Sequence, residues 1–98
     1  MTPSAETLFA FARSRQGTVL HTVQRRTPFR VEVIDKKLEI QPSTGQPRYE
    51  TFANVTALPK EFASKGAWQA SHYHELSFNA SYVLALLKEW QDSGTGRA

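Results

Sequence analysis

Cysteine is missing altogether from these 98 residues, which removes disulfides, thiolate zinc sites and cysteine nucleophiles at once and fits a reducing compartment, the cytoplasm being the expected one. Long apolar runs are missing too. The longest, residues 82–87, is six residues, against about 20 needed to cross a bilayer, so no membrane span is expected. The N-terminal MTPSAETLFAF lacks the basic and apolar regions of a secretion leader, and none is expected. Internal repeats and low-complexity tracts are absent.

The most informative gap is one of charge. Residues 7–31 contain no acid but five arginines (Arg13, Arg15, Arg25, Arg26 and Arg30), while the rest of the chain carries seven basic and nine acidic residues. This one segment therefore supplies the whole net charge of +3. An acid-free basic stretch attracts polyanions by steering and counterion release, although arginines also serve solubility.

Hydrophobic residues make up 40% of the chain, enough to exclude a disordered polymer and to predict one domain over residues 1–91 with a disordered tail over 92–98. Thr2 as N-cap and Pro3 at the first helical position predict a helix over 3–15, with a stripe of Ala5, Leu8, Phe9 and Ala12 widened by Phe11, closed by Gly17. Residues 18–24 fit either a strand, with Val19, His21 and Val23 alternating, or a helix, with Val19, Leu20 and Val23 on one face, and β-branched residues at 18, 19, 22 and 23 favour the strand. Phe29, Val31 and Val33 alternate with Arg30 and Glu32, and a tight turn at Asp35-Lys36 leads to Leu38 and Ile40; this is a hairpin. Two prolines make residues 41–47 a loop.

From Thr51, residues Phe52, Val55, Leu58 and Phe62 share a helical face ending at Gly66. Pro59 predicts a kink or two short helices. Residues 68–77 show no period and are expected to cross the surface. Asn79 is the expected cap of a last helix with the stripe Val83, Leu86, Leu87 and Trp90, Phe78 and Val83 forming a hydrophobic staple. The expected class is α+β: an antiparallel sheet of about three strands, with an N-terminal helix and two C-terminal helices packed on one face.

Four short constellations compete with structural roles and lose. His72-Tyr73-His74-Glu75 would place two histidines on one side of a strand, as a metal pair or an acid–base pair needs, but no third ligand is in sight. Asp35-Lys36-Lys37 resembles half a metal-dependent nuclease site, but the only carboxylates upstream are Glu6, in a helix, and Glu32, two residues before the strand ends, so it reads as turn chemistry. Ser43-Thr44-Gly45 with Arg48 lacks the phosphate-loop spacing. Asn79, Ser81 and Tyr82 at a helix N-terminus read as a cap. No metal, cofactor or catalytic residue is implied.

The arginines remain. Arg25 and Arg26 belong at the tip of a hairpin with Arg30 on its outer face, a ribbon able to meet a groove or backbone. Arg13, Arg15 and Arg48 join them as candidate phosphate contacts. Tyr49, Trp68 and Tyr73 have no periodic core role, so they are candidates to stack on bases or line an interface. Glu32 and Glu39 share the outer face and oppose phosphate there. The expectation is a non-catalytic nucleic-acid-binding module, monomeric or homodimeric. The alternatives are a protein-interaction adaptor and, last, a histidine-dependent hydrolase or ribonuclease.

Overall fold

The structure, a computed structural model, describes residues 3–43, 45–77 and 79–93. Helix α1 spans Ala5–Ser14 and starts at Ser4, whose Oγ accepts the Thr7 N–H at 3.1 Å. The start is two residues later than predicted, because the serine hydroxyl caps more effectively than the proline initiates; Thr2, the expected cap, lies outside the described residues. Ala5, Leu8, Phe9, Phe11 and Ala12 are all buried, as their spacing predicts.

Four antiparallel strands follow in sequential order: β1 Leu20–His21, β2 Pro28–Ile34, β3 Lys37–Pro42 and β4 Arg48–Thr51. Phe29, Val31, Leu38 and Ile40 are buried on the helix-covered face, while Arg30 and Glu32 stand on the other, open face. The fold is α+β as expected, with one more strand.

β1 is far shorter than the predicted 18–24. Its chain turns back at Thr22, whose carbonyl accepts the Arg26 N–H at 3.0 Å and whose Oγ1 accepts the Thr27 N–H at 2.9 Å. A threonine hydroxyl that serves the backbone in this way offers an alternative to the ladder. β3 runs into the predicted loop and includes Pro42. The Val33 N–H points away from β3 to Gln16 Oε1 at 2.9 Å, so the pairs Val33–Leu38, Val31–Ile40 and Phe29–Pro42 are all of the non-hydrogen-bonded kind. The N–H that proline lacks would point past the end of β4, whose first residue, Arg48, pairs with Ile40. β4 itself escapes pattern reading because both residues on its helix side, Arg48 and Glu50, are charged.

Helix α2, Phe52–Lys65, is capped by Thr51, which accepts the Asn54 N–H, and closed by Gly66 at φ 65° with its N–H on Phe62 O at 2.7 Å. It runs unbroken through Pro59, which corrects the expected division into two helices. Proline in a helix interior costs about 3 kcal/mol. Burial of Val55, Leu58 and Pro59 along one face outweighs that loss, since each large aliphatic side chain contributes about 1.5–3 kcal/mol.

The segment expected to cross the surface contains a 3₁₀ turn, Ala70–Tyr73, that drives Tyr73 into the core. Helix α3, Ala80–Asp92, buries Val83, Leu86, Leu87 and Trp90 as predicted, and Leu84 and Ala85 besides. Asn79 precedes it without a side-chain capping bond; its amide instead donates to the Tyr49 carbonyl at 3.1 Å. Phe78, half of the expected staple, lies outside the described residues, as does 94–98 of the expected tail, whereas Asp92 belongs to α3.

The larger core cluster joins α1, the sheet and α3; a second gathers Leu58, Tyr73, Ala80, Val83 and Leu84. Phe62 and Trp68 pack against both. Among the described residues no helix is long and apolar enough to cross a membrane.

Candidate nucleic-acid interface

A groove of about 630 Å³ opens between three elements: the 22–27 turn, the 3₁₀ segment and the first turn of α3. The turn contributes Arg25 to its lining, the 3₁₀ segment Trp68, Ser71 and His74, and the helix Ser81 and Tyr82. Among the described residues no aspartate or glutamate lines it. The acid-free stretch of sequence thus becomes one wall of an acid-free groove. Tyr82 is held against Phe29 with ring centroids 5.0 Å apart, and the Arg48 guanidinium approaches the same tyrosine ring at 5.9 Å.

The six candidate arginines do not form one patch. Arg25 faces the groove, and Arg26 beside it has a left-handed φ of 57°. Arg48 is opposite Ile40, on the helix side of the sheet rather than the outer face. Arg13 and Arg15 end α1, where Arg15 lies 5.1 Å over the Phe11 ring. That end is next to Gln16 and therefore to Val33, five residues along β2 from the Pro28 end where the 22–27 turn enters.

Arg30 is on the open sheet face, in the company of acids. Its neighbours there include Glu32 and Glu39, directly opposite each other across β2 and β3. Gln41 Nε2 and Tyr49 Oη donate to the Glu39 carboxylate at 2.7 and 2.9 Å. The Gln41 bond first, then that from Tyr49, holds the Glu39 carboxyl below its ordinary range, and the same contact pushes the Tyr49 phenol above its own. An anion approaching Arg30 meets these carboxylates.

The three aromatics fare differently. Tyr73 is no stacking surface, which corrects the expectation: it is buried, its hydroxyl donates to Ala67 O at 2.7 Å, and burial pushes its phenol up. The 3₁₀ turn puts it in the core, and no apolar period in residues 68–77 signals that. Trp68 is half-buried, packed on Phe62 at 4.3 Å between centroids with the Lys88 ammonium 5.5 Å over its ring. Tyr49 is 55% exposed.

The two histidines separate. His74 lines the groove, whereas His72 is outside it, its Nε2 3.1 Å from Gln69 Oε1. Among the described residues no three His, Asp or Glu side chains gather as a metal site would require. Asp35 is in a two-residue turn at φ 55°, and Thr44 of the Ser43-Thr44-Gly45 loop lies outside the described residues.

Sequence reasoning missed Glu50. It is buried opposite Leu38; its Oε1 accepts the Thr51 N–H at 2.9 Å and Asn54 Nδ2 at 2.8 Å, and its Oε2 accepts the Ser77 hydroxyl. Ser77 Oγ in turn accepts the Asn79 N–H at 2.9 Å. A carboxylate so fully provided with donors is tolerated in a core, and this one ties the β4–α2 junction to the start of α3. An acid in a polar stretch gives no sign of burial. No family model, curated protein or solved structure matches the chain.

Proposed function

We propose that the protein is a non-catalytic nucleic-acid-binding module that meets the phosphodiester backbone at the groove beside the 22–27 turn. The observation that carries this reading is the acid-free lining, which includes Arg25, His74 and the hydroxyl-bearing Ser71 and Ser81. Arg26 adjoins it in sequence, and Arg48 stands over Tyr82. A guanidinium is the side chain best matched to phosphate, and hydroxyls fix register on a backbone.

The test is binding of a labelled oligonucleotide across a salt series. Replacing Arg25 and Arg26 together by alanine reduces the slope of log affinity against log salt by about 0.7–0.9 for each phosphate that is no longer neutralised. Arg30→Ala leaves the slope unchanged, because Glu32 and Glu39 already disfavour phosphate on its face. A parent protein that binds no nucleic acid at low salt overturns the reading.

A protein-interaction role is favoured by a different observation. The open sheet face displays Ile34, 44% exposed, beside Tyr49 in a shallow hollow rimmed by Lys36 and Lys37. If the arginine pair proves irrelevant and Ile34→Asp with Tyr49→Ala changes the sedimentation of the protein or of a captured partner, that role takes precedence.

A further inference from the structure

We infer that the groove admits an unpaired nucleotide, so that the module prefers single strands to duplex; this rests on the nucleic-acid reading above and narrows its ligand. The first reason is shape. A hairpin reads duplex DNA when its tip projects freely into the major groove. Here the turn carrying Arg25 forms one wall of a groove whose other walls are α3 and the 3₁₀ segment, so that its arginine lines a concavity instead of crowning a ribbon. A rigid duplex is convex and keeps its bases inside, so it can offer such a concavity little beyond a phosphate. The groove volume, about 630 Å³, is that of a small-molecule pocket, large enough for a nucleotide with its base turned out.

The second reason is the chemistry of the walls. Arg25 supplies the cation, Trp68 and Tyr82 supply flat apolar surface, and Gln69 and Ser71 supply hydrogen-bonding groups for a base edge. A positive groove with aromatic walls is how single strands are held without strict sequence preference. Phe62 and Lys88 already occupy much of the Trp68 ring, so a base meets only its remaining surface. The preference is accordingly modest: about tenfold in affinity, in the lower part of the range that one base–aromatic contact provides.

The two tryptophans allow a direct test. Trp68 lines the groove, whereas Trp90 is 3% exposed in the core, so only Trp68 can report an occupant. A single-stranded oligonucleotide and its duplex are titrated separately into the full chain at low salt, with tryptophan emission and anisotropy of the labelled strand read together. The single strand is expected to bind about tenfold more tightly and to change the emission, and Trp68→Phe to abolish that change while retaining the salt slope. Should Trp68→Phe fail to fold, the emission of the parent reports the same event. If both ligands bind, the duplex as tightly as the single strand, with emission unmoved, the inference falls and the nucleic-acid reading stands; if neither binds, both fall.

Discussion

Arg26 and Asp35 are the two non-glycine residues with positive φ, at 57° and 55°, among the described residues. Left-handed backbone costs an ordinary residue about 1 kcal/mol, while the short polar side chain of aspartate tolerates it. Arg26→Gly is therefore expected to keep or raise stability by up to about 1 kcal/mol in urea unfolding, although it removes a charge proposed to contact phosphate. A clear loss of stability would mean that the arginine side chain holds the turn. At Glu50 the balance is reversed. Ser77→Ala withdraws one donor from a buried carboxylate, and the expected cost is about 1–3 kcal/mol; a loss below about half a kcal/mol would show that another donor takes its place.

On the open face, Glu39 and Tyr49 are linked titrations. The folded-state value of Glu39 is lowered, so its bonds stabilise the fold above the ordinary carboxylate range and are lost as pH falls through the lowered value. That of Tyr49 is raised, so its contribution is present below the ordinary phenol value and is lost as pH rises through the raised one. Tyr49→Phe should bring the Glu39 carboxyl only part of the way back in an NMR titration, because the bond from Gln41, the larger cause, persists.

Among the elements, α3 has the largest structural role, with Val83 to Leu87 and Trp90 all buried. Leu86→Ala should cost about 2–5 kcal/mol in denaturant unfolding, as large-to-small core changes do. A loss under about half a kcal/mol would place that side chain in a site able to collapse around the missing atoms. The sheet edges are managed by amides. Gln16 occupies the Val33 N–H on one side, and Asn79 occupies the Tyr49 carbonyl on the other. An unpaired strand edge is a template for another chain, so Gln16→Ala is expected to raise self-association at high concentration, read by light scattering, with little effect on the melt. Unchanged scattering would mean that the edge is shielded by something other than this bond.

At the scale of the whole molecule, the two core clusters share Phe62 and Trp68. Cores coupled through common side chains lose their packing together, and small domains usually unfold in one step. Tryptophan emission and far-ultraviolet circular dichroism should therefore give superimposable unfolding curves, even though Trp90 belongs to the larger cluster and Trp68 packs against both. Separated midpoints would show that the Leu58–Tyr73–Leu84 cluster melts by itself. The sheet is a meander in which each strand pairs with its sequence neighbour, a local connectivity that favours fast folding.

What the residues by themselves determined is whatever depends on periodicity and short-range chemistry. The apolar stripes of α1 and α3, the β2–β3 hairpin with its charged outer side, and the glycine stop of α2 follow from side-chain spacing and from φ preferences that need no distant partner. What only the tertiary structure decided is wherever a distant contact outweighs a local rule. Packing of Val55, Leu58 and Pro59 carries α2 through its proline, and Ser77 and Asn54 make Glu50 acceptable inside. A 3₁₀ turn in a stretch without period buries Tyr73. The candidate site divides in the same way. The acid-free arginine stretch is visible in the chain, but Arg25 shares a groove with Trp68, His74 and Tyr82 only because the sheet, the 3₁₀ turn and α3 converge there, and convergence across some fifty residues leaves no trace in local pattern.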